Sequence, residues 1–383
     1  MGNNDFSISL LVGLKNNLEY SKNFYETTRN IYPYVEIIFV SYGSTDGTHE
    51  WLDSLEDSNM RFYYELINKS LADAYNKCIE LATKDYMVLL HNDMVLTPYF
   101  LENIAKHLND NTVVGYSFIE PPIYSGDERI GKIVKDFGTD IQSLRLKDLY
   151  KFSGEKRLEY SGQVSHSIEL RFFLSLETNI LKRIGGFDNL FSPMFFEDDD
   201  IFLRLEQLNM KMITSLDAIC YHFVSKTSRF SEEAIKKTKE IEENSQRNFS
   251  RKWGFSSYND RSATYKTAIL LKNANIDLIR EVEPYATHLY VDNNFDEYIR
   301  EEQRKTKYDL SKRIFSITDF RNSYPVTVNI DGEKLDERSF KYIRRINSIV
   351  NKRKNEKRVK KILHSLFYKH TIRKANLLIK INL

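Results

Sequence analysis

"DYMVLLHND", residues 85–93, sets the apolar run Met87, Val88, Leu89 and Leu90 directly before His91, Asn92 and Asp93. A short apolar run closed by polar residues reads as a buried strand, and a carboxylate just past its end stands at the mouth of a sheet. Four other runs share this character: "FSISLLVGL" (6–14), "VEIIFVSYG" (35–43), "MRFYYEL" (60–66) and "TVVGYSFI" (112–119). Between them, residues 18–30, 48–55, 71–82 and 99–108 carry helical spacing. Near-continuous apolar strands alternating with helices predict an α/β fold whose mostly parallel sheet has helices on both faces. Such sheets bind ligands at the carboxyl ends of their strands, so "HND" and "SYGSTDGT" (41–48) are where chemistry is expected.

Further along the periodicity changes. Residues 120–168, rich in Gly, Ser and charge, predict a variable loop region. "FFEDDDIFLR" (195–204) then gathers Glu197, Asp198, Asp199 and Asp200 between pairs of apolar residues. Acids in a helix's first turn are favoured by the macrodipole, which accounts for one or two of them. Four between aromatics need positive or proton-donating partners, because buried carboxylates are costly alone. Ile201, Leu205 and Leu208 form an i, i+4, i+7 stripe, predicting a helix that begins near Asp198. "MKMITSLDAICYHF" (210–223) predicts a short strand pair ending at His222, and from Ser231 onward the pattern reads as mostly helical and charged.

The chain of 383 residues is 41% hydrophobic and 13% aromatic, a globular composition with room for about two domains. Its net charge of +2 hides an asymmetry. Residues 341–383 hold 14 Lys/Arg and one acid, Glu356, which leaves 42 basic and 53 acidic groups, a net −11, in the first 340. Nucleic acid is not an expected partner. Cys78 and Cys220 each sit in an apolar pattern, so neither a disulfide framework nor a zinc site is expected. The start MGNNDFS lacks a signal peptide's basic and apolar regions, and no run approaches the roughly 18 apolar residues that span a bilayer. The expectation is a cytoplasmic protein.

"ISLLVGLKNN", "EIIFVSYGSTDGT", "NKSLADAYNKCIELATKDYMVLLHNDM", "LKRIGGFDNLF", "FFEDDDIFLRL" and "DAICYHF" follow one another in the order and spacing of inverting family 2 glycosyltransferases. Over residues 6–224 the sequence resembles that family, which implies the GT-A fold: a Rossmann-like, mostly parallel sheet with helices on both faces. The expected organisation is a catalytic domain over 1–225 and a mainly helical extension over 226–383, ending in the basic tail. That tail places Ile343, Ile346 and Val350, then Ile362, Leu366 and Phe367, at helical spacing among cations. Peripheral contact with anionic lipid is one reading of it; a solvated or oligomerising helix is the other.

The resemblance implies roles residue by residue. "HND" takes the place of the family's D-x-D element, so Asp93 is expected to hold a divalent metal, Mn or Mg, with His91 in place of the first Asp and His222 as a further ligand. Asp198 matches the family's catalytic base, with Glu197 assisting. Leu14, Tyr42, Asn68, Asp73 and Asn92 are the expected donor-binding set. Ser41 and Tyr42 depart from the paired Asp that commonly precede "GS"; Tyr42 could stack on a base or be an ordinary turn aromatic. Tyr75 stands where the family's third helix has Arg. Phe187, Phe191, Phe195 and Phe196 could line the sugar pocket, at least two of them packing in the core instead.

The implied activity is transfer of a hexose or N-acetylhexosamine from a nucleotide diphosphate sugar, UDP-linked by expectation, to an acceptor hydroxyl. Acceptor candidates are a glycan, a lipid-linked glycan or a protein such as flagellin. The alternative is a catalytically silent sugar-nucleotide or glycan-binding protein on the same fold, favoured by His91, Ser41 and Tyr42. A nucleotidyltransferase is disfavoured, because no Gly-rich, cationic phosphate loop follows the first strand.

Overall fold

A computed structural model describes residues 7–122, 129–224, 232–293, 295–358 and 369–382. The chain divides into two compact units, Met1–Lys239 and Glu240–Leu383.

The first unit alternates strand and helix as far as residue 105: β1 (Ile8–Leu14), α1 (Leu18–Ile31), β2 (Glu36–Tyr42), α2 (Thr48–Asp53), β3 (Met60–Glu65), α3 (Leu71–Leu81), β4 (Tyr86–His91), β5 (Met94–Leu96) and α4 (Phe100–Ala105). It continues with β6 (Thr112–Glu120), β7 (Lys132–Val134), α5 (Leu146–Glu159), β8 (Val164–Ser165), β9 (Leu174–Glu177), α6 (Thr178–Arg183), α7 (Glu197–Gln207) and β10 (Lys211–His222). α8 (Glu232–Trp253) runs across the division between the units.

One sheet orders these strands β3-β2-β1-β4-β9-β6-β10-β5, with β7 beside β6 and β8 beside β10. β1, β2, β3 and β4 are parallel, and the register Gly13 to His91 and Leu14 to Ser41 brings their carboxyl ends to one edge. β9 is antiparallel to both β4 and β6. β2 and β6 are buried throughout, as strands covered on both faces must be. α3 starts with a capping box between Ser70 and Asp73, which fixes its first turn under the sheet edge.

Three expectations are corrected here. The region 120–168 is not all loop: α5 packs Leu149 among Ile119, Tyr221 and Phe223, with Leu146, Tyr150 and Phe152 partly buried beside them. The Ser153–Gly154 pair in its middle, where Gly is a poor helix former, blurs the stripe that would have shown the helix in the sequence. The strand pair before His222 is a single 12-residue strand, β10, whose pairing with β6 shifts register between Ser215 and Ile219. Its Leu216–Asp217 irregularity imitates a turn. In α7, Ile201 and Leu205 are fully buried, but Leu208 is exposed at the helix end and Phe202 is buried instead.

The second unit contains helices, as expected, but they flank a six-stranded sheet that the helical reading did not anticipate. Its elements are β11 (Thr267–Lys272), α9 (Ile276–Val282), β12 (His288–Val291), α10 (Phe295–Glu302), β13 (Ile314–Ser316), β14 (Val326–Asp331), α11 (Glu337–Ile343), α12 (Ile346–Arg358), β15 (Lys369–Lys374) and β16 (Leu377–Asn382). The order is β13-β12-β11-β14-β16-β15, parallel across the first four and antiparallel at β16 and β15.

The amphipathic-tail reading is corrected for the residues described. Ile343, Ile346 and Val350 lie in this unit's core with Ile269, Leu289 and Val328, so they are not available to a lipid surface. Residues 369–374 and 377–382 are strands, not helix: in the second, Leu377, Ile379 and Ile381 are buried and Lys380 and Asn382 exposed, a period of two. Ile362, Leu366 and Phe367 lie outside the described residues. Arg251, fully buried, bridges Glu283 and Glu302 at 2.7 and 2.9 Å, and Arg313 meets Glu283 from another side. Among the described residues no helix is long and apolar enough to cross a membrane.

Candidate active site

β4 ends at His91, and Asp93 follows in the tight connection to β5. β5 pairs antiparallel with the end of β10, His222 opposite Met94, which lays the "HND" turn with His91 and Asp93 beside His222. One ligand atom from each of the three lies within 4.8 Å of the others. His222 Nε2 is 3.4 Å from Asp93 Oδ1, and the rings of His91 and His222 are 5.6 Å apart. All three are largely withdrawn from solvent. Burial pushes His91 down to about 4, which keeps it a neutral imidazole with a free lone pair, while Asp93 is held below the usual carboxylate range by His222 and His91 despite its burial. Two imidazoles and a carboxylate held this close suit a divalent transition metal such as Mn better than Mg, which prefers oxygen ligands.

Two charged groups that sequence reasoning missed stand behind this cluster. Glu120, the last residue of β6, has Oε1 2.8 Å from His222 Nδ1, and its Oε2 is 2.8 Å from Lys132 Nζ on β7. The rule that drew attention to Asp93, a carboxylate closing an apolar strand, applies equally to "TVVGYSFIE" and would have found Glu120. Nothing in the sequence marks Lys132.

The four carboxylates of α7 separate by partner. Asp199 is paired with Arg171, and Asp200 is fully buried against Arg204, one turn along, at 2.8 Å. Arg204 also donates to the carbonyls of Ile184 and Gly186, tying α7 to the "GGFD" turn. Glu197 is 6% exposed and its Oε2 has no hydrogen-bond partner in the protein. Burial, then the neighbouring Asp198 and Asp199, push its carboxyl up to about 8. Asp198 is half-buried; burial and Asp199 raise it, while the amide of Asp199 and the guanidinium of Arg171 oppose the shift. Phe195 and Phe196, with φ of 78° and 68°, hold the left-handed region just before the helix, a conformation that costs aromatic residues about 1 kcal/mol or more each. Strain of this kind persists where the surroundings over-determine it, here at the residues that aim the acidic turn.

The aromatic expectation divides. Phe187 and Phe191 are core residues, whereas Phe195 and Phe196 are half-buried. The rings around His91 are Phe172 and Phe173, at 4.6 and 5.3 Å, which the sequence reading did not single out. Tyr75 is buried and donates to the Leu90 carbonyl at 2.7 Å, so the family's Arg position is occupied by a core hydroxyl.

Of the expected donor-binding residues, Leu14 and Tyr42 end adjacent strands, both buried, and the Asn68 backbone lies 2.9 Å from where a Cβ on Gly43 would be. Lys15 reaches the Tyr42 carbonyl at 3.0 Å, and Lys69 stands 4.6 Å over the Tyr42 ring. Ser41 is fully buried, 3.0 Å from His49 and 2.8 Å from Ser44. Asp73 is engaged by its capping box and by the Asn189 amide at 2.8 Å, and Asn92 donates to Ser21 on α1 at 3.0 Å. These last two side chains are thus committed to holding α3 and the β4–β5 turn in place.

The first unit thus carries an acidic helix start and a cluster of metal-ligand type along the carboxyl edge of an open α/β sheet. Residues 9–158 match the profile of the family described as "Glycosyl transferase family 2". Asp198 and His222 lie beyond the matched stretch. No curated protein matches the sequence. Among solved structures, the mannosyltransferase PcManGT from Pyrobaculum calidifontis in complex with GDP-Man and Mn2+ is similar at 16% identity and a TM-score of 0.40, covering 64% of this chain and 61% of that one. TarS 1-349 of S. aureus is similar at 14% and 0.42, covering 63% and 64%, and GalNAc-T7 with UDP, GalNAc and Mn2+ at 12% and 0.43, covering 64% and 51%. This chain therefore spans less than two-thirds of each.

Proposed function

We propose that the N-terminal unit transfers a hexose or N-acetylhexosamine from a nucleoside diphosphate sugar, UDP-linked in the first instance, to an acceptor hydroxyl, with inversion at the anomeric carbon. The observation that carries this is the placement of His91, Asp93 and His222 within 4.8 Å of one another along the strand ends of a glycosyltransferase domain. These three would hold the divalent ion, Mn by the donor set; when bound, it supplies positive charge to the departing diphosphate.

The protein's own residues perform the remaining tasks. Asp198, half-exposed and raised above an ordinary carboxylate, takes the proton of the acceptor hydroxyl. Glu197 keeps its proton near neutral pH and presents its unpartnered oxygen as a hydrogen-bond donor, so environment gives two neighbouring acids two roles. Arg171 and Arg204 neutralise the other two acids and lock the helix start. Leu14, Tyr42 and Asn68, with Lys15 and Lys69 beside them, form the nucleotide side of the site. The acceptor is a glycan, a lipid-linked glycan or a protein hydroxyl.

A panel of nucleotide sugars with and without Mn2+, read as nucleoside diphosphate release, tests the reading. Release from at least one donor that chelation abolishes is the expected result. A chain that binds a nucleotide sugar yet releases no diphosphate from any donor, with every acceptor class supplied, would instead be the silent binding protein.

A further inference from the structure

The contacts behind His222 carry a second layer of the site. Glu120 and His222 end neighbouring parallel strands, with Tyr221 in register with Ile119, so their side chains emerge together at the sheet edge. His222 Nδ1 meets Glu120 Oε1 at 2.8 Å, and Glu120 is 5% exposed. The other carboxylate oxygen meets Lys132 Nζ at 2.8 Å, on a side chain only 2% exposed. Three titratable groups in a row, all withdrawn from water, are costly to bury unless each has its partner.

We infer that Glu120 and Lys132 form a positioning relay for the metal ligand His222, an inference that rests on the metal reading of the His91–Asp93–His222 cluster. An imidazole ligates through its unprotonated nitrogen, so the ring must present Nε2 as a lone pair and carry its proton on Nδ1. Glu120 accepts that Nδ1 proton in a hydrogen bond, fixing the tautomer and the ring plane, with Nε2 turned to Asp93. Lys132 holds the second oxygen of Glu120, so the carboxylate cannot rotate away. Both groups act through His222; neither touches the reacting atoms.

The probe is the metal alone: Mn2+ titrated into the full chain, followed by calorimetry and by loss of the free-ion electron paramagnetic resonance signal. E120A is expected to weaken Mn2+ binding by about 10- to 100-fold, the usual range for loss of such an outer partner. E120Q, which keeps an acceptor oxygen for Nδ1–H but not the charge that meets Lys132, is expected to fall between it and wild type, and K132M to weaken binding by a smaller factor. In Co2+-loaded protein, the exchangeable imidazole proton, shifted by the paramagnetic ion, should be visible in wild type and should exchange faster in E120Q, a change that a purely structural role for Glu120 does not produce. Wild-type protein that takes up no Mn2+ overturns the metal reading, and this inference with it. Wild type that binds Mn2+, alongside folded E120A and E120Q that bind it equally well, overturns the relay and leaves the metal site standing. Thermal unfolding of each variant identifies any that fail to fold; for those, the K132M affinity and the wild-type proton signal decide.

Discussion

Replacing Glu197 by Gln separates the two acids at the start of α7. Glu197 is buried, lacks a partner for Oε2, and has its carboxyl pushed from 4.5 up to about 8. At about 1.4 kcal/mol per pH unit, ionising it in the folded protein costs on the order of 4–5 kcal/mol. The sign follows from linkage. The folded chain binds this proton more tightly than the unfolded chain, so the contribution is fully present below pH about 4.5, is lost progressively as pH rises, and is gone beyond about 8. Glu197→Gln mimics the protonated form and cannot ionise. Urea unfolding from pH 5 to 9 should therefore show wild-type stability falling relative to the variant by a few kcal/mol, with the variant more stable at pH 8.5. Turnover at pH 7 should stay within about tenfold of wild type, whereas Asp198→Asn should lose about 10²-fold or more with donor affinity nearly intact. If Glu197→Gln loses as much turnover as Asp198→Asn, and its stability difference from wild type does not change with pH, Glu197 is the ionised base and the assignment is reversed.

Asp93→Ala and His222→Ala should each abolish metal-dependent nucleotide binding in calorimetry; full-strength Mn-dependent binding in both would reject the site. Arg251→Ala should destabilise the second unit by about 3–5 kcal/mol in urea unfolding, because it strands Glu283 and Glu302 in the interior, and a loss below about 1 kcal/mol would show the network to be dispensable. A chain ending at residue 340 should leave the second unit unfolded by circular dichroism and proteolysis, since Ile343, Ile346, Val350, Leu377, Ile379 and Ile381 belong to its core; a protease-resistant unit would contradict the packing described.

Much of the first unit was legible because burial on both faces writes strands as unbroken apolar runs. β1, β2, β3, β4 and β6 each fall within a residue or two of the runs that predicted them. The strand-end rule pointed to His91 and Asp93; ligand chemistry made His222 a possible third member and the family resemblance singled it out, since no local pattern states that β5 runs antiparallel to β10. Glu120 was within reach of the same rule. Lys132 and Arg171 were not, because their significance lies wholly in which distant carboxylate they meet. The second unit misled for the opposite reason: β12 and β13 are three or four residues long, and charged helices between short strands dominate the text. β16 alone kept a clear alternation.

β9 arrives late in the sequence yet sits between β4 and β6, hydrogen-bonded to both. Until residues 174–177 are in place, β4 and β6 have no strand between them, and the paired side chains of Glu120 and His222 are themselves 102 residues apart. Closing loops of that length before the contacts form makes this a slow step in assembly. On a ribosome emitting the chain from its N-terminus, the strand ends carrying Leu14 and Tyr42 can take shape while His222 is still unmade. The nascent domain thus passes through a stage in which His91 and Asp93 stand at the sheet edge without their third neighbour, and the cluster is complete only when the last strand of the sheet, β10, slots in.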